Sequence, residues 1–272
     1  MNTLNTAINA TLAFAITILA VSCRSHAEIN KADSPEVLVP GSHIKLDSSK
    51  RYIYLTFDDG PQPPGTTICK GIFIKQGVKA TFFIVGLNQF DQKRKNIIDS
   101  IRNSYPQFLI ANHSYTHGFK NNYKRFYSKP DSAIQDFLKE ESEMNIPVKI
   151  TRLPGNNAWV GKGELKGPKS VMPVCKKLDS LGYNVIGWDI EWRFKGGSVP
   201  IQSADEMIKE VNNKFDDAIT NMPNAIVILA HDRMFAKQPY TDTLNKFISV
   251  LKQDPRNIFE TIDHYPLVQR SK

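Results

Sequence analysis

The chain has 272 residues, with 35 Lys and Arg against 27 Asp and Glu, and so carries a formal net charge of +8. A basic surface of that kind favours anionic polymers. No basic block interleaved with aromatics is present, which argues against a nucleic-acid partner and leaves an acidic or cell-wall glycan.

The first 27 residues differ from the rest. Leu12 to Val21 form an apolar run of about ten residues, too short to span a bilayer and suited to the h-region of a secretory signal. Ser25-His26-Ala27 fits cleavage after a small-x-small triplet, which gives a signal peptide over residues 1–27. Leu19-Ala20-Val21-Ser22-Cys23 instead resembles a lipoprotein box ending before Cys23, and this reading is slightly favoured. Either way the expected location is periplasmic, outer-membrane lipoprotein or extracellular, with membrane contact only through a lipid on Cys23. Residues 28–50 are a polar, Pro-punctuated leader. Residues 51–272 suit one catalytic domain, expected to be a monomer.

Within that domain, Tyr52 to Phe57, Ala80 to Val85, Phe108 to Asn112, Val148 to Leu153, Tyr183 to Trp188 and Ala225 to Ala230 are short apolar or β-branched runs. Such runs read as strands buried on both faces. Helical stripes lie between them. Thr66 to Gln76 carries Ile68, Ile72 and Phe73 and stops at Gly77; Asp131 to Met144 carries Ile134, Phe137, Leu138 and Glu141. Ser203-Ala-Asp-Glu206 is a capping box opening a helix with Met207, Val211 and Phe215 facing inward. The alternation predicts an α/β fold on a parallel sheet, where functional side chains gather beyond the carboxyl ends of the strands. Beyond Cys23, Cys69 and Cys175 could form a disulfide after export or remain two separately buried thiols.

Several polar constellations sit at those strand ends. Phe57-Asp58-Asp59-Gly60-Pro61 closes the first run, and His113-Ser-Tyr-Thr-His117 follows the third. Taken alone, Asp58-Asp59-Gly60 reads equally well as a solvated turn. Taken together, Asp59, His113 and His117 supply the three protein ligands that a catalytic divalent ion takes, and Asp58 is left beside it as a general base. Arg152-Leu-Pro-Gly155, Asp189-Ile-Glu191-Trp192 and Leu229-Ala-His231-Asp232 end the remaining runs.

With these motifs in this order, the chain from Arg51 onward resembles the polysaccharide deacetylases of the NodB homology class. The resemblance implies a distorted parallel (β/α) barrel of about seven strands. It also implies an acetylated glycan as substrate, with N-acetyl groups of amino sugars hydrolysed in peptidoglycan or a chitin-like oligosaccharide. Asp58 matches the catalytic base, Asp59, His113 and His117 the ligands of a divalent metal, zinc being expected, and Arg152 the residue that orients Asp58. The backbone N–H of Gly155 matches an oxyanion donor, and Leu229-x-His231 the motif whose His is the general acid. The chain departs from the family twice. Gly155 stands where Tyr is frequent, which removes one wall of the groove, and Glu191 rather than Asp precedes Trp192. Glu191 is therefore expected to pair with His231, with Asp189 close behind, and that carboxylate should raise the His231 pKa.

For the substrate groove, Trp159, Trp192 and Leu229 are the candidates, with Arg193, Phe194, Met234 and Phe235 as further ones. The segment from Gly155 to Lys169 reads either as a loop over the site, bringing Trp159 and Lys162, Lys166 and Lys169 to the glycan, or as a solvated insertion. Two other functions keep the same residues: an O-acetyl esterase, and a glycan-binding module without turnover.

Overall fold

The structure, a computed structural model, describes residues 38–269. The expected signal segment and Cys23 lie outside the described residues. In chain order the elements are β1 (Arg51–Gly60), α1 (Gly65–Gln76), β2 (Ala80–Ile84), α2 (Gln92–Arg102), β3 (Phe108–Asn112), α3 (His117–Asn121), α4 (Tyr123–Tyr127) and α5 (Pro130–Met144). There follow β4 (Ile150–Thr151), a hairpin of β5 (Trp159–Gly161) and β6 (Glu164–Lys166), α6 (Met172–Ser180), β7 (Asn184–Val185) and β8 (Ile190–Glu191). The ribbon β9 (Phe194–Lys195) and β10 (Val199–Pro200), then α7 (Ala204–Asp216), β11 (Ala225–His231), α8 (Gln238–Leu251), β12 (Asn257–Phe259) and α9 (Pro266–Gln269) complete the order.

β7, β4, β3, β2, β1, β11 and β8 lie side by side with every neighbour parallel. β12 joins the start of β1, and the hairpin adds antiparallel to β7. β7 and β8 are consecutive in the chain, joined by residues 186–189, and pair with β4 and β11 respectively, so this stretch carries the curled sheet around as a distorted barrel. All six expected strand runs and all three expected helices are present. Helices α2, α6 and α8 and strand β12 have no counterpart in the sequence reading.

Strand alternation divides the core and positions the chemistry. In β1 the odd residues Ile53, Leu55 and Phe57 pack outward among Phe73, Phe82 and Phe108. The even residues Tyr52 and Tyr54 face the barrel interior with Phe83, Leu109, Val227 and Tyr265. The same two-residue period runs along β3 through Leu109 and Ala111 to His113, and along β11 through Ala225, Val227 and Leu229 to His231. Asp58, His113 and His231 thus each continue the inward set of their own strand. A third cluster, with Phe126, Phe137, Leu153, Val174 and Leu178, fills the space beneath α5 and α6.

Residues 38–50 lie against the C-terminal segment: the Gly41 N–H donates to Asp263 Oδ2 at 3.0 Å and the Ile44 N–H to Gln269 Oε1 at 2.9 Å. Order therefore reaches upstream of Arg51. Cys69 on α1 and Cys175 on α6 are both buried free thiols, the second of the two alternatives. Among the described residues no helix is long and apolar enough to cross a membrane.

Candidate active site

Strict alternation would point Asp58 into the barrel and Asp59 out of it. A register shift against β2 between Asp58 and Gly60, with Asp59 at φ 69°, turns Asp59 back toward the cleft. A bulge of this kind re-aims a side chain at the rim of a sheet, against a left-handed backbone cost of about 1–2 kcal/mol. Adjacent carboxylates thereby share one cleft of about 810 Å³, whose walls also include His113, His117, Tyr123, Gly155, Trp188, Glu191, Leu229, His231 and Arg233.

Asp59 Oδ1 lies 3.5 Å from His113 Nε2 and 3.0 Å from His117 Nε2. It is buried and has no hydrogen-bond partner among the described residues. Each imidazole is fixed from behind, His113 Nδ1 by the Arg152 carbonyl at 2.9 Å and His117 Nδ1 by Asn121 Oδ1 at 2.5 Å. Those acceptors place the protons on Nδ1 and leave both Nε2 lone pairs facing Asp59, the arrangement that supporting hydrogen bonds impose on metal-ligating imidazoles. Donors about 2.1 Å from one tetrahedral ion stand about 3.4 Å apart. The three ligand atoms lie within 4.8 Å of one another, so these residues fit a divalent cation. The electrostatics agree. Burial pushes the Asp59 carboxyl up, but His113, His117 and His231 outweigh it and hold the group well below the usual carboxylate range. Burial pushes His117 down, and Asp59 more than reverses it.

The turn carrying His117 is left-handed. His117, Gly118, Phe119, Lys120 and Asn121 have φ of 52°, 63°, 56°, 54° and 69°. L-residues rarely adopt this conformation in succession. Here it brings Asn121 back onto the ring of His117, and Thr116 caps the turn by accepting from the Phe119 N–H.

Arg152 is fully buried behind Asp58. Its Nη1 donates to Asp58 Oδ1 at 2.8 Å and to Thr56 Oγ1 at 2.7 Å, its Nη2 to the Gly187 carbonyl at 2.8 Å, and its Nε to the Ile186 carbonyl at 3.1 Å. The guanidinium plane stacks on Phe83, with Cζ 4.3 Å from the ring centre. A guanidinium bonded on all sides cannot turn, so Asp58 Oδ1 is fixed and Oδ2 faces the His113 side of the cleft at 3.5 Å. Gly155 lines the cleft at φ 65°, and its N–H has no hydrogen-bond partner among the described residues.

His231 lies across the cleft, its Nε2 3.6 Å from Asp59 Oδ2 and its ring edge-on to Phe194. The expected carboxylate partner is absent. Register explains why: β8 pairs Glu191 with Leu229, one inward step short of His231. Asp189 sits a further step back, both oxygens held by the N–H groups of Asn221 and Val227 at 2.7 Å. His231 Nδ1 has no partner among the described residues, and burial pushes the imidazole down to about 4, against the pull of Asp59 and Asp58. The expectation of a raised His231 pKa is corrected on both counts. Glu191 does face the cleft, where burial pushes its carboxyl up.

The groove candidates divide. Leu229 lines the cleft, and so does Phe194. Trp192 does not: it packs edge-on between Phe235 and Phe247, and its Nε1 donates to the Gln202 carbonyl. Met234 and Phe235 are buried with it. Trp159 is buried too, stacked on Tyr265 at 5.5 Å inside the barrel. The segment from Gly155 to Lys169 is the β5–β6 hairpin on the sheet edge, neither a lid nor a loose insertion.

Sequence reasoning missed Arg233, whose Nη1 bonds Asp59 Oδ2 at 2.5 Å, and also Asn121 and Tyr123. For Arg233 a signal existed, since position 233 follows a strand-end His by two residues. For Asn121 and Tyr123 there was none, because a left-handed run of non-glycine residues has no sequence signature.

Residues 45–146 match the family model described as polysaccharide deacetylase. The peptidoglycan-N-acetylmuramic acid deacetylase PdaA of Bacillus subtilis is 25% identical over 198 residues, 65% of this chain and 68% of that one. The chitooligosaccharide deacetylase of Rhizobium leguminosarum bv. trifolii is 39% identical over 117 residues, 41% of this chain and 49% of its own. This chain spans 65% of the length of another relative, the Bacillus subtilis protein YheN. Among solved structures, the Bc1960 peptidoglycan N-acetylglucosamine deacetylase superposes with a TM-score of 0.53 at 26% identity, covering 79% of this chain and 88% of that one. The catalytic domain of the Eubacterium rectale peptidoglycan N-acetylglucosamine deacetylase gives 0.57 at 20% identity over 84% and 95%, a likeness of fold alone.

Proposed function

We propose that this chain, which belongs to the polysaccharide deacetylase family, is a divalent-metal hydrolase that removes N-acetyl groups from amino sugars in a glycan, peptidoglycan or chitin-like. The observation that carries the reading is Asp59 Oδ1, buried and unbonded between two imidazole Nε2 atoms whose Nδ1 atoms are already held. Zinc suits this set of two imidazoles and one carboxylate.

Asp59, His113 and His117 would hold the ion, which when bound supplies Lewis acidity toward the acyl oxygen and the attacking water. The protein's own groups do the rest. Asp58, locked by Arg152, takes a proton from water as the oxygen–carbon bond forms. The Gly155 N–H, without a partner among the described residues, would donate to the developing oxyanion, a contribution of about 3–4 kcal/mol in comparable sites. The proton that Asp58 takes from water passes to the neutral His231 imidazole, which hands it to the nitrogen as the carbon–nitrogen bond breaks, so the step balances with both groups returned to their resting states. Since burial keeps the resting His231 imidazole neutral, its acid role depends on a proton gathered during turnover. The same neutrality suits an ester leaving group, which needs less proton donation, and favours an O-acetyl esterase as the second reading.

The net charge of +8 and the apolar run at Leu12 to Val21 support an exported enzyme acting on cell-wall or acidic glycan. Acetate release by zinc-loaded protein from peptidoglycan fragments, chitooligosaccharide and acetylated xylan tests the reading. N-acetyl substrates should dominate and a chelator should abolish release. Turnover confined to acetylated xylan selects the esterase, and binding without any release selects a module that has lost catalysis.

A further inference from the structure

Gly155 does not leave the cleft open. A Cβ built on it would stand 2.6 Å from Tyr123 Cε2, and one built on Gly118 would stand 2.8 Å from Tyr123 Cδ1. The Tyr123 ring is thus seated between two glycines on different segments, in space that a side chain at either position would take. Its edge meets the His117 imidazole at 5.8 Å, and its hydroxyl donates to Asn121 Oδ1 at 3.2 Å, the atom that also holds His117 Nδ1. The ring is half-buried and forms part of the wall of the cleft that Leu229 and His231 also line. A flat apolar face with a polar tip, at the edge of a cleft whose floor is acidic, suits the face of a pyranose ring. It does not suit the acyl group, which must reach the carboxylates.

Resting on the reading of the site as a glycan deacetylase, we propose that Tyr123 is the specificity-determining residue of the cleft, stacking on the sugar that carries the scissile acetyl group. Its seat against Gly155 fixes the width of the cleft, and the ring face, not the hydroxyl, carries the contact with the sugar.

The test compares Tyr123→Ala and Tyr123→Phe with the parent protein on two acetyl donors, a chitooligosaccharide and 4-nitrophenyl acetate, which carries no sugar. Tyr123→Ala should raise KM for the oligosaccharide about tenfold, the loss of one aromatic contact, while kcat and activity on 4-nitrophenyl acetate stay within about twofold. Tyr123→Phe keeps the ring face and should resemble the parent on both. Equal losses on both donors, together with weaker zinc binding, would reduce Tyr123 to a prop for His117 and overturn the proposal, as would a Phe variant as poor as the Ala variant. A second arm needs no turnover: calorimetric titration of metal-free protein with the oligosaccharide should show about tenfold weaker binding for Tyr123→Ala, and unchanged binding refutes the stacking role. Failure of the parent to release acetate from any glycan, with that binding difference intact, would sink the deacetylase reading and leave Tyr123 as the sugar platform.

Discussion

Asp58 and His231 stand directly opposite each other in the parallel register of β1 and β11. Both continue the inward face of their strands, so one backbone pairing brings the proposed base and the proposed acid to a single cleft. Replacing either should separate catalysis from metal binding. Asp58→Asn and His231→Ala are each expected to lower acetate release by about 10²- to 10⁴-fold, with zinc affinity nearly unchanged. Steady-state kinetics alongside chelator competition checks this, and equal loss of zinc from His231→Ala would make His231 a ligand instead.

Asn121 holds one imidazole in its tautomer, and supporting bonds of this kind typically contribute 10- to 100-fold to metal affinity. Asn121→Ala should therefore weaken zinc binding by about tenfold while Asp59→Asn abolishes stoichiometric uptake. Competition with a chromophoric chelator measures both.

Trp192 is a core residue, wedged between two phenylalanines. Trp192→Ala should lower unfolding free energy by about 3–5 kcal/mol in denaturant titrations. KM for glycan at low temperature should hardly move. A groove residue would give the reverse pattern.

Gly155→Ala meets two obstacles, a left-handed backbone at φ 65° and the ring of Tyr123 at 2.6 Å. The backbone term alone is about 1–2 kcal/mol. Denaturant titration should show at least that loss, and Gly155→Ala combined with Tyr123→Ala should lose less than the sum, because the second change removes the clash.

Glu260 lies away from the cleft, bonded by Lys79 Nζ at 2.7 Å and by the Thr261 N–H at 2.9 Å, with His264 Nδ1 at 3.0 Å. Burial pushes its carboxyl up, but these partners outweigh burial and hold it below the usual Glu range. A depressed folded value gives stability that is complete above the unfolded pKa of about 4.3 and is lost as pH falls through the folded value. Glu260→Gln should therefore flatten the acid limb of the stability profile below about pH 4.5, measured by denaturation at a series of pH values. An unchanged acid limb would assign that stability to other carboxylates.

The strand runs and the residues that gather at the candidate site were legible because they depend on local pattern. The inward period of β1, β3 and β11 carries Asp58, His113 and His231 to the rim, and that period is written in Tyr52–Phe57, Phe108–Asn112 and Ala225–Ala230. The errors lie where partner and register decide. Glu191 looks like the partner of His231 until β8 pairs it with Leu229. Trp159 and Trp192 look like rim aromatics, since burial depends on what packs above them. Helix α2 escaped notice because its sequence buries little more than Ile98 and Ile101, and its start is fixed by Asp91 capping the Arg94 N–H. Likewise the buried acids of α5 are Asp136 and Glu140, not Glu141 on the assumed stripe.

Residues 186–189, between β7 and β8, bear on the girth of the barrel. In a regular barrel the circumference is quantised by strand number and stagger. Here a short covalent bridge passes from the β4 side to the β11 side, its Ile186 N–H bonding the Thr151 carbonyl and its Asp189 N–H the Val227 carbonyl. Side chains fasten it: Asn157 clasps the backbone of Trp188, and Asp189 accepts from the N–H groups of Asn221 and Val227. Exchanging one clasp residue can change the bore of this ring without redrawing its architecture.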